Sequence, residues 1–123
     1  MFAIKRDEKG NVKMHKARLV ARGFTQQYGV DYFDTFAPVM KLKSLRLILA
    51  ISATNKLRII QLDVKTAFLN APVTETIYIH TPEGIEHTPN TTLILLRAPY
   101  GIKQASREWN KLINGFLISI QFM

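Results

Sequence analysis

The chain has 123 residues, 47% of them apolar, which suits one modest globular domain with a single core and argues against disorder. It contains no cysteine, so disulfides and cysteine-ligated zinc are excluded. The formal net charge of +8 is one-sided: residues 1–22 carry seven Lys or Arg against Asp7 and Glu8, and residues 61–123 carry five against five acids. A basic front half suggests a polyanionic partner, nucleic acid first, with a merely solvated basic surface as the alternative.

The amino terminus, Met1 to Asp7, has no apolar signal core, and the longest apolar-rich run, Leu45 to Ala53, is interrupted by Arg46 and Ser52 and is far too short to span a bilayer. The chain therefore reads as soluble and, lacking cysteine, as suited to a reducing intracellular compartment. Phe2 to Arg6 is strand-like, Asp7-Glu8-Lys9-Gly10-Asn11 is a turn, and a second strand is predicted from Val12 to Arg22. Its period of two puts Lys16, Arg18, Val20 and Arg22 on one face and Ala17, Leu19 and Ala21 on the other. Such a hairpin could hold phosphates on its cationic face, or could be an edge kept soluble by charge.

Gly23 to Pro38 is predicted to be a loop pinned by Phe24, Tyr28, Tyr32, Phe33 and Phe36, with Asp31 and Asp34 making local backbone hydrogen bonds rather than a metal site. Val39 to Ser52 reads as a helix, with Ser44 as a possible cap, Asn55 as its end, and an apolar surface wide enough to be buried on more than one side against a sheet. Arg58 to Ala71 then begins as a buried strand through Ile59, Ile60, Leu62 and Val64 and ends on Asp63, before a short helical run from Thr66 to Leu69. A carboxylate there needs a partner: Asp63 either caps the following turn or ligates a metal ion. Thr76 to His80 and Leu93 to Arg97 read as further strands, Pro89-Asn90 marks a turn, and His80 and His87 read as loop histidines without metal spacing. From Lys103 to Phe122 a helix is predicted, with Trp109, Leu112, Ile113, Phe116, Leu117 and Ile120 as a core stripe.

The wording of four stretches, in order, adds a resemblance. Lys16-Ala17-Arg18-Leu19-Val20-Ala21-Arg22-Gly23-Phe24-Thr25-Gln26, Asp34-Thr35-Phe36-Ala37-Pro38-Val39, Gln61-Leu62-Asp63-Val64-Lys65-Thr66-Ala67-Phe68-Leu69-Asn70 and Ala98-Pro99-Tyr100-Gly101-Ile102-Lys103-Gln104-Ala105 together resemble the reverse transcriptases of copia-type (Ty1/copia) retrotransposons. Ser106 stands where many relatives have proline. The resemblance implies an α+β fold: part of a polymerase fingers and palm, with an antiparallel sheet, helices on one face and the basic hairpin. It divides this single partial domain at about residue 38 into a fingers-like hairpin and loop, 1–38, and an incomplete palm and fingers part, 39–123.

Further roles come from the resemblance alone. Asp63 is the expected catalytic and metal-binding carboxylate, joined by the backbone carbonyl of Val64. Phe68, Tyr100, Gly101, Lys16, Arg18 and Arg22 are expected around the incoming nucleotide, and Lys13 and Lys103 against nucleic acid. Phe68 could instead be a core aromatic, and Tyr100-Gly101 a plain turn with glycine chosen for its backbone. The implied cofactor is Mg2+ or Mn2+, and the implied partners are an RNA or DNA primer–template and a deoxynucleoside triphosphate. No adjacent pair of aspartates occurs in the sequence, although the family carries one on a later hairpin. The chain is therefore expected to be a piece of a copia-type polyprotein, cut at both ends, unable to hold the ions stably or polymerise alone. The alternatives are a non-enzymatic basic nucleic-acid-binding module and a degenerate transposon relic.

Overall fold

The computed structural model describes residues 1–82, 84–86 and 90–122. Along the chain run β1 (Phe2–Arg6), β2 (Val12–Ala17), a 3₁₀ turn (Gly23–Thr25), α1 (Leu42–Thr54), the one-turn α2 (Ala67–Asn70), β3 (Tyr78–Ile79), β4 (Leu93–Ile94) and α3 (Ala105–Ser119). This is a mixed α and β fold with small antiparallel sheets, as expected in outline. The separate basic hairpin forms, β1 with β2, and among the described residues the larger antiparallel sheet expected beside it is reduced to one pair, β3 with β4.

The amino-terminal hairpin turns where it was predicted to. Asp7 accepts from the amides of Lys9 and Asn11, both at 2.9 Å, and Gly10 sits at φ +84°, a conformation that favours glycine. The register pairs Phe2 with Ala17 and Ile4 with His15 on one face, and Ala3 with Lys16 on the other, with a bulge at Lys5/Arg6. The second strand is shorter than predicted. Its ladder ends with Met1 and Arg18 exchanging backbone hydrogen bonds at 2.9 Å. The chain then leaves the hairpin, and three residues on the Ala21 N–H donates to the Tyr100 carbonyl at 2.8 Å. Val20 and Arg22 are thus not on the ladder, and the alternating cationic face ends at Arg18, its last paired residue.

The core is small. Ala71, Ile77, Ala98, Ile102 and Ala105 are buried, with Ala21, Phe68, Val73, Ile79, Leu95 and Trp109 packed around them. It lies where α2 packs on α3 and where the strands flanking β3 and β4 meet them: the Ala98 amide donates to the Ala71 carbonyl at 3.0 Å, and Pro72 bridges Arg97.

Two predicted core elements lie outside it. Ile59 to Val64 is neither a strand nor buried, and Leu62 is 86% exposed. Its β-branched residues have strand propensity, but among the described residues no strand pairs with it, and propensity without a partner does not make a sheet. Helix α1 forms close to its predicted span and ends at Asn55, whose side-chain amide donates to the Ile51 carbonyl at 2.9 Å. It is not packed between other elements, however: Leu47, Ile48, Leu49 and Ile51 are exposed, and it packs against no other helix or strand among the described residues. Its N-cap is Lys41 rather than Ser44. In the apolar stripe of α3, Trp109, Ile113 and Leu117 are half-buried, and Leu112, Phe116 and Ile120 are exposed. The chain exposes 10822 Å² in all, against about 6,700 Å² for a compact monomer of this mass. No helix among the described residues is long and apolar enough to cross a membrane.

Candidate functional site

Asp63 ends the extended segment with its side chain exposed, and among the described residues it takes part in no hydrogen bond or ion pair. Capping of the following helix is not its role, because the N-cap of α2 is Thr66 and no side chain bonds that end. Thr66 lies in the left-handed region at φ 50° and ψ 41°. For a β-branched residue this costs about 1–2 kcal/mol, so surrounding contacts must enforce it. They are visible: the Asn70 side-chain amide donates back to the carbonyls of Lys65 and Thr66, and Arg97 Nη1 donates to the Asn70 carbonyl at 2.8 Å. The turn that follows Asp63 and Val64 is therefore strapped to the strand that leads into Tyr100.

Phe68 projects from that turn onto Tyr100, with ring centroids 4.9 Å apart and planes tilted by 52°. Tyr100 and Gly101 in turn touch the segment after the hairpin. Gly101 sits at φ +104°, and a Cβ there would lie 2.2 Å from the Ala21 carbonyl oxygen. A Cβ on buried Gly23 would lie 1.8 Å from the Gly101 oxygen. Two backbones are in van der Waals contact at this point, which only paired glycines allow. Phe68, Tyr100, Gly101 and the backbone next to Arg22 thus form one contiguous group. Lys13 and Arg18 are exposed, and Lys16 is half-buried on the hairpin. A shallow recess lined by Phe2, Ala3, Ile4, His15, Lys16 and Ala17 lies on that hairpin and includes neither Asp63 nor Tyr100.

Lys103, expected against nucleic acid, has its ammonium occupied within the fold. Nζ donates to the Gln26 carbonyl at 3.1 Å and the Tyr32 hydroxyl at 3.2 Å, and lies 4.5 Å from the Tyr32 ring centroid. It is one part of a polar network that sequence reasoning missed. Gln104 is fully buried. Its Oε1 accepts from Gln26 Nε2 at 3.1 Å, and its Nε2 donates to the Asp31 carbonyl at 2.9 Å and to Glu75 Oε2 at 3.4 Å. Gln26 Oε1 accepts from the Lys103 amide at 2.7 Å. One turn further along α3, Arg107 meets Asp34 at 3.1 Å, Glu75 at 3.9 Å and Glu108 at 2.7 Å, and Lys111 meets buried Glu108 at 3.2 Å.

These bonds correct the reading of the Gly23–Pro38 loop. Polar side chains hold it, while Phe24, Phe33 and Phe36 are exposed; of the aromatics, Tyr28 and Tyr32 pack edge to face at 5.7 Å. Asp31 and Asp34 do make the local backbone bonds expected, to the Gln27 and Phe36 amides. The Phe36 amide, helped by the Arg107 guanidinium and opposed by partial desolvation, holds the Asp34 carboxyl below its ordinary value of 3.8. His80 lies outside the strands, and His87 lies outside the described residues.

Among the described residues no group of three or more acidic, imidazole or thiol side chains could hold a metal ion. Asp63 and the Val64 carbonyl offer two kinds of oxygen, whereas magnesium requires near-octahedral coordination.

Comparison with known proteins settles the family. The reverse transcriptase (RNA-dependent DNA polymerase) family profile matches residues 1–123. The chain belongs to this family. It is 39% identical over its whole length to the Retrovirus-related Pol polyprotein from transposon TNT 1-94 of Nicotiana tabacum, covering 9% of that protein. It is 38% identical over its whole length to the corresponding polyprotein from transposon RE1 of Arabidopsis thaliana, covering 8%. It is 34% identical over 96% of its length to the Transposon Ty1-ER2 Gag-Pol polyprotein of Saccharomyces cerevisiae (strain ATCC 204508 / S288c), covering 6%. The chain thus spans less than a tenth of the length of these curated relatives, and as a reverse transcriptase it is of the copia type expected from its motifs. No solved structure matches it.

Proposed function

We propose that this reverse transcriptase segment supplies the nucleotide-facing part of an RNA-directed DNA polymerase within a copia-type polyprotein. Residues 1–38 would act as fingers and 39–123 as part of the palm. The observation that carries the reading is Asp63: an exposed carboxylate of the family's aspartate motif, without a partner among the described residues and shortly before the strapped turn that carries Phe68 to Tyr100. An acid left free in this way is available to share a ligand with other acids.

Phe68 and Tyr100 would present a hydrophobic wall to the sugar and base of an incoming nucleotide. Gly101, with no side chain, would let the nucleotide approach the backbone. Lys16, Arg18 and Arg22 would balance phosphate charge, and Lys13 would meet the template backbone. One carboxylate is insufficient for two-ion nucleotidyl transfer, so the companion acids must come from outside these 123 residues. A primer-extension assay tests this. The 123-residue chain is expected to give no incorporation with Mg2+ or Mn2+ and no metal-dependent rise in melting temperature. A longer chain that also carries the Asp-Asp hairpin should extend primers and lose that activity on Asp63→Asn. Incorporation by the short chain, or full activity of the longer Asp63→Asn chain, would overturn the assignment.

A further inference from the structure

The cations proposed for phosphate lie in the first 22 residues, whereas Tyr100 and Gly101 lie about eighty residues later. Something must hold them in register if both are to meet one ligand. The backbone contact between Gly23 and Gly101 brings the segments together, but a van der Waals contact resists sliding only weakly, because dispersion is individually small and non-directional. Directional bonds are supplied from the next residues on each side. Gln26 and Gln104 meet side chain to side chain, and Gln26 also accepts the Lys103 amide. Gln104 uses one acceptor and both donors of its amide, with partners from three separate stretches: Gln26, Asp31 and Glu75.

We propose that Gln104 is a positioning residue that fixes the Ala21–Gln26 segment, and through it the cationic hairpin, against the Tyr100–Gly101 turn, with the Lys103 ammonium as a second fastening rather than a phosphate contact. The functional half of this statement rests on the nucleotide-site reading above. Burial supports it. A fully buried amide in a sparse core is expensive unless every partner is in place, so the network favours one arrangement over near alternatives. Removing Gln104 takes the shared partner from half-buried Gln26, Asp31 and Glu75 and should release the docked segment. Ala21 reports on docking directly, since its amide donates to the Tyr100 carbonyl across the junction.

The test uses the 123-residue chain, wild type and Gln104→Leu, which keeps the bulk and removes both polar atoms. Amide exchange at Ala21 and binding of a fluorescein-labelled primer–template duplex across a salt series are measured well below the melting temperature. Gln104→Leu is expected to speed Ala21 exchange roughly tenfold, the size expected for stranding a buried hydrogen-bonding group. It should weaken duplex binding by a similar factor and flatten the salt dependence, because the hairpin cations and the turn no longer engage one backbone together. Lys103→Met should speed Ala21 exchange while leaving the salt slope of the still-docked fraction unchanged; a slope reduced by about one would mark a phosphate contact and overturn the assignment of Lys103. If Gln104→Leu merely lowers the melting temperature, with Ala21 exchange and salt slope as in wild type, Gln104 is an ordinary core residue and the proposal fails. Should Gln104→Leu not fold, Gln26→Ala, altered at the half-buried partner, decides by the same two readings. If wild type does not bind duplex even at low salt, the nucleic-acid reading falls, and Ala21 exchange alone decides whether Gln104 docks the segment.

Discussion

Between Gly23 and Asp34 a loop with almost no regular structure is fixed from several directions, whereas between Leu42 and Val64 a regular helix and an irregular segment pack against no other helix or strand among the described residues. The first region has few residues in any repeating conformation, yet its carbonyls, amides and carboxylates find partners on Lys103, Gln104 and Arg107. The second has the better local propensities, with thirteen residues of α1 and a run of β-branched residues, yet its apolar side chains are exposed. Repeating backbone structure is a local matter of propensity and capping, while being held in place requires complementary groups from elsewhere in the chain. The clamped loop has them, whereas α1 and the segment after it meet no other helix or strand among the described residues.

The most severe way to break the contrast is at the glycine junction. Gly23→Ala would place a methyl group inside the contact distance of the Gly101 carbonyl, backbone against backbone, so neither side can yield by rotating a side chain. A loss of about 3 kcal/mol or more is expected in denaturant unfolding. A change below about 1 kcal/mol would show that the two segments are not in contact. Arg107→Ala should come next. It leaves buried Glu108 with Lys111 as its remaining cation and frees Asp34, for an expected loss of about 2 kcal/mol, reduced from the cost of breaking a fully buried pair because Arg107 is partly exposed.

A smaller effect is expected from acid. The folded Asp34 carboxyl titrates below 3.8, so the stability it contributes is complete above that pH and is lost as the pH falls through the lower folded value. A melting series should therefore show an acid-side decline that is shallower in Asp34→Asn than in wild type. Smallest of all should be changes in the loose region. Ile60→Ala and Leu62→Ala are expected to shift stability by no more than about 0.5 kcal/mol, since little burial is lost. A loss of about 2 kcal/mol at either position would mean that the extended segment is packed in solution and that the contrast is false.

Much of the local organisation was legible in the residues. Asp7 and Gly10 predicted the turn they make, the helix ending at Asn55 was readable from its composition, and α3 was readable from its apolar spacing, although it runs from Ala105 to Ser119 rather than from Lys103 to Phe122. The four motifs were enough to indicate the family. The clamp was not legible. Gln104 falls between a lysine and an alanine and has no periodic signature, and Arg107 finds Asp34 from 73 positions away in sequence. The loop's aromatics suggested apolar anchoring, but its polar residues supply the anchors. Ile59 to Val64 misled for a different reason: its composition states a preference for strand, and preference is realised only when another strand completes the hydrogen bonds.

The sequence alone thus determined what depends on neighbours along the chain: the hairpin turn, the helical spans, the charge asymmetry and the ordered motifs of a copia-type reverse transcriptase. Tertiary structure decided which side chains are buried and that Asp63 has no partner among the described residues. Those outcomes depend on closing long loops, where the gain comes from partners many residues apart and no local pattern records it. Gln104 and Asp63 mark the two results, one amide bonded to three separate stretches and one carboxylate bonded to none among the described residues.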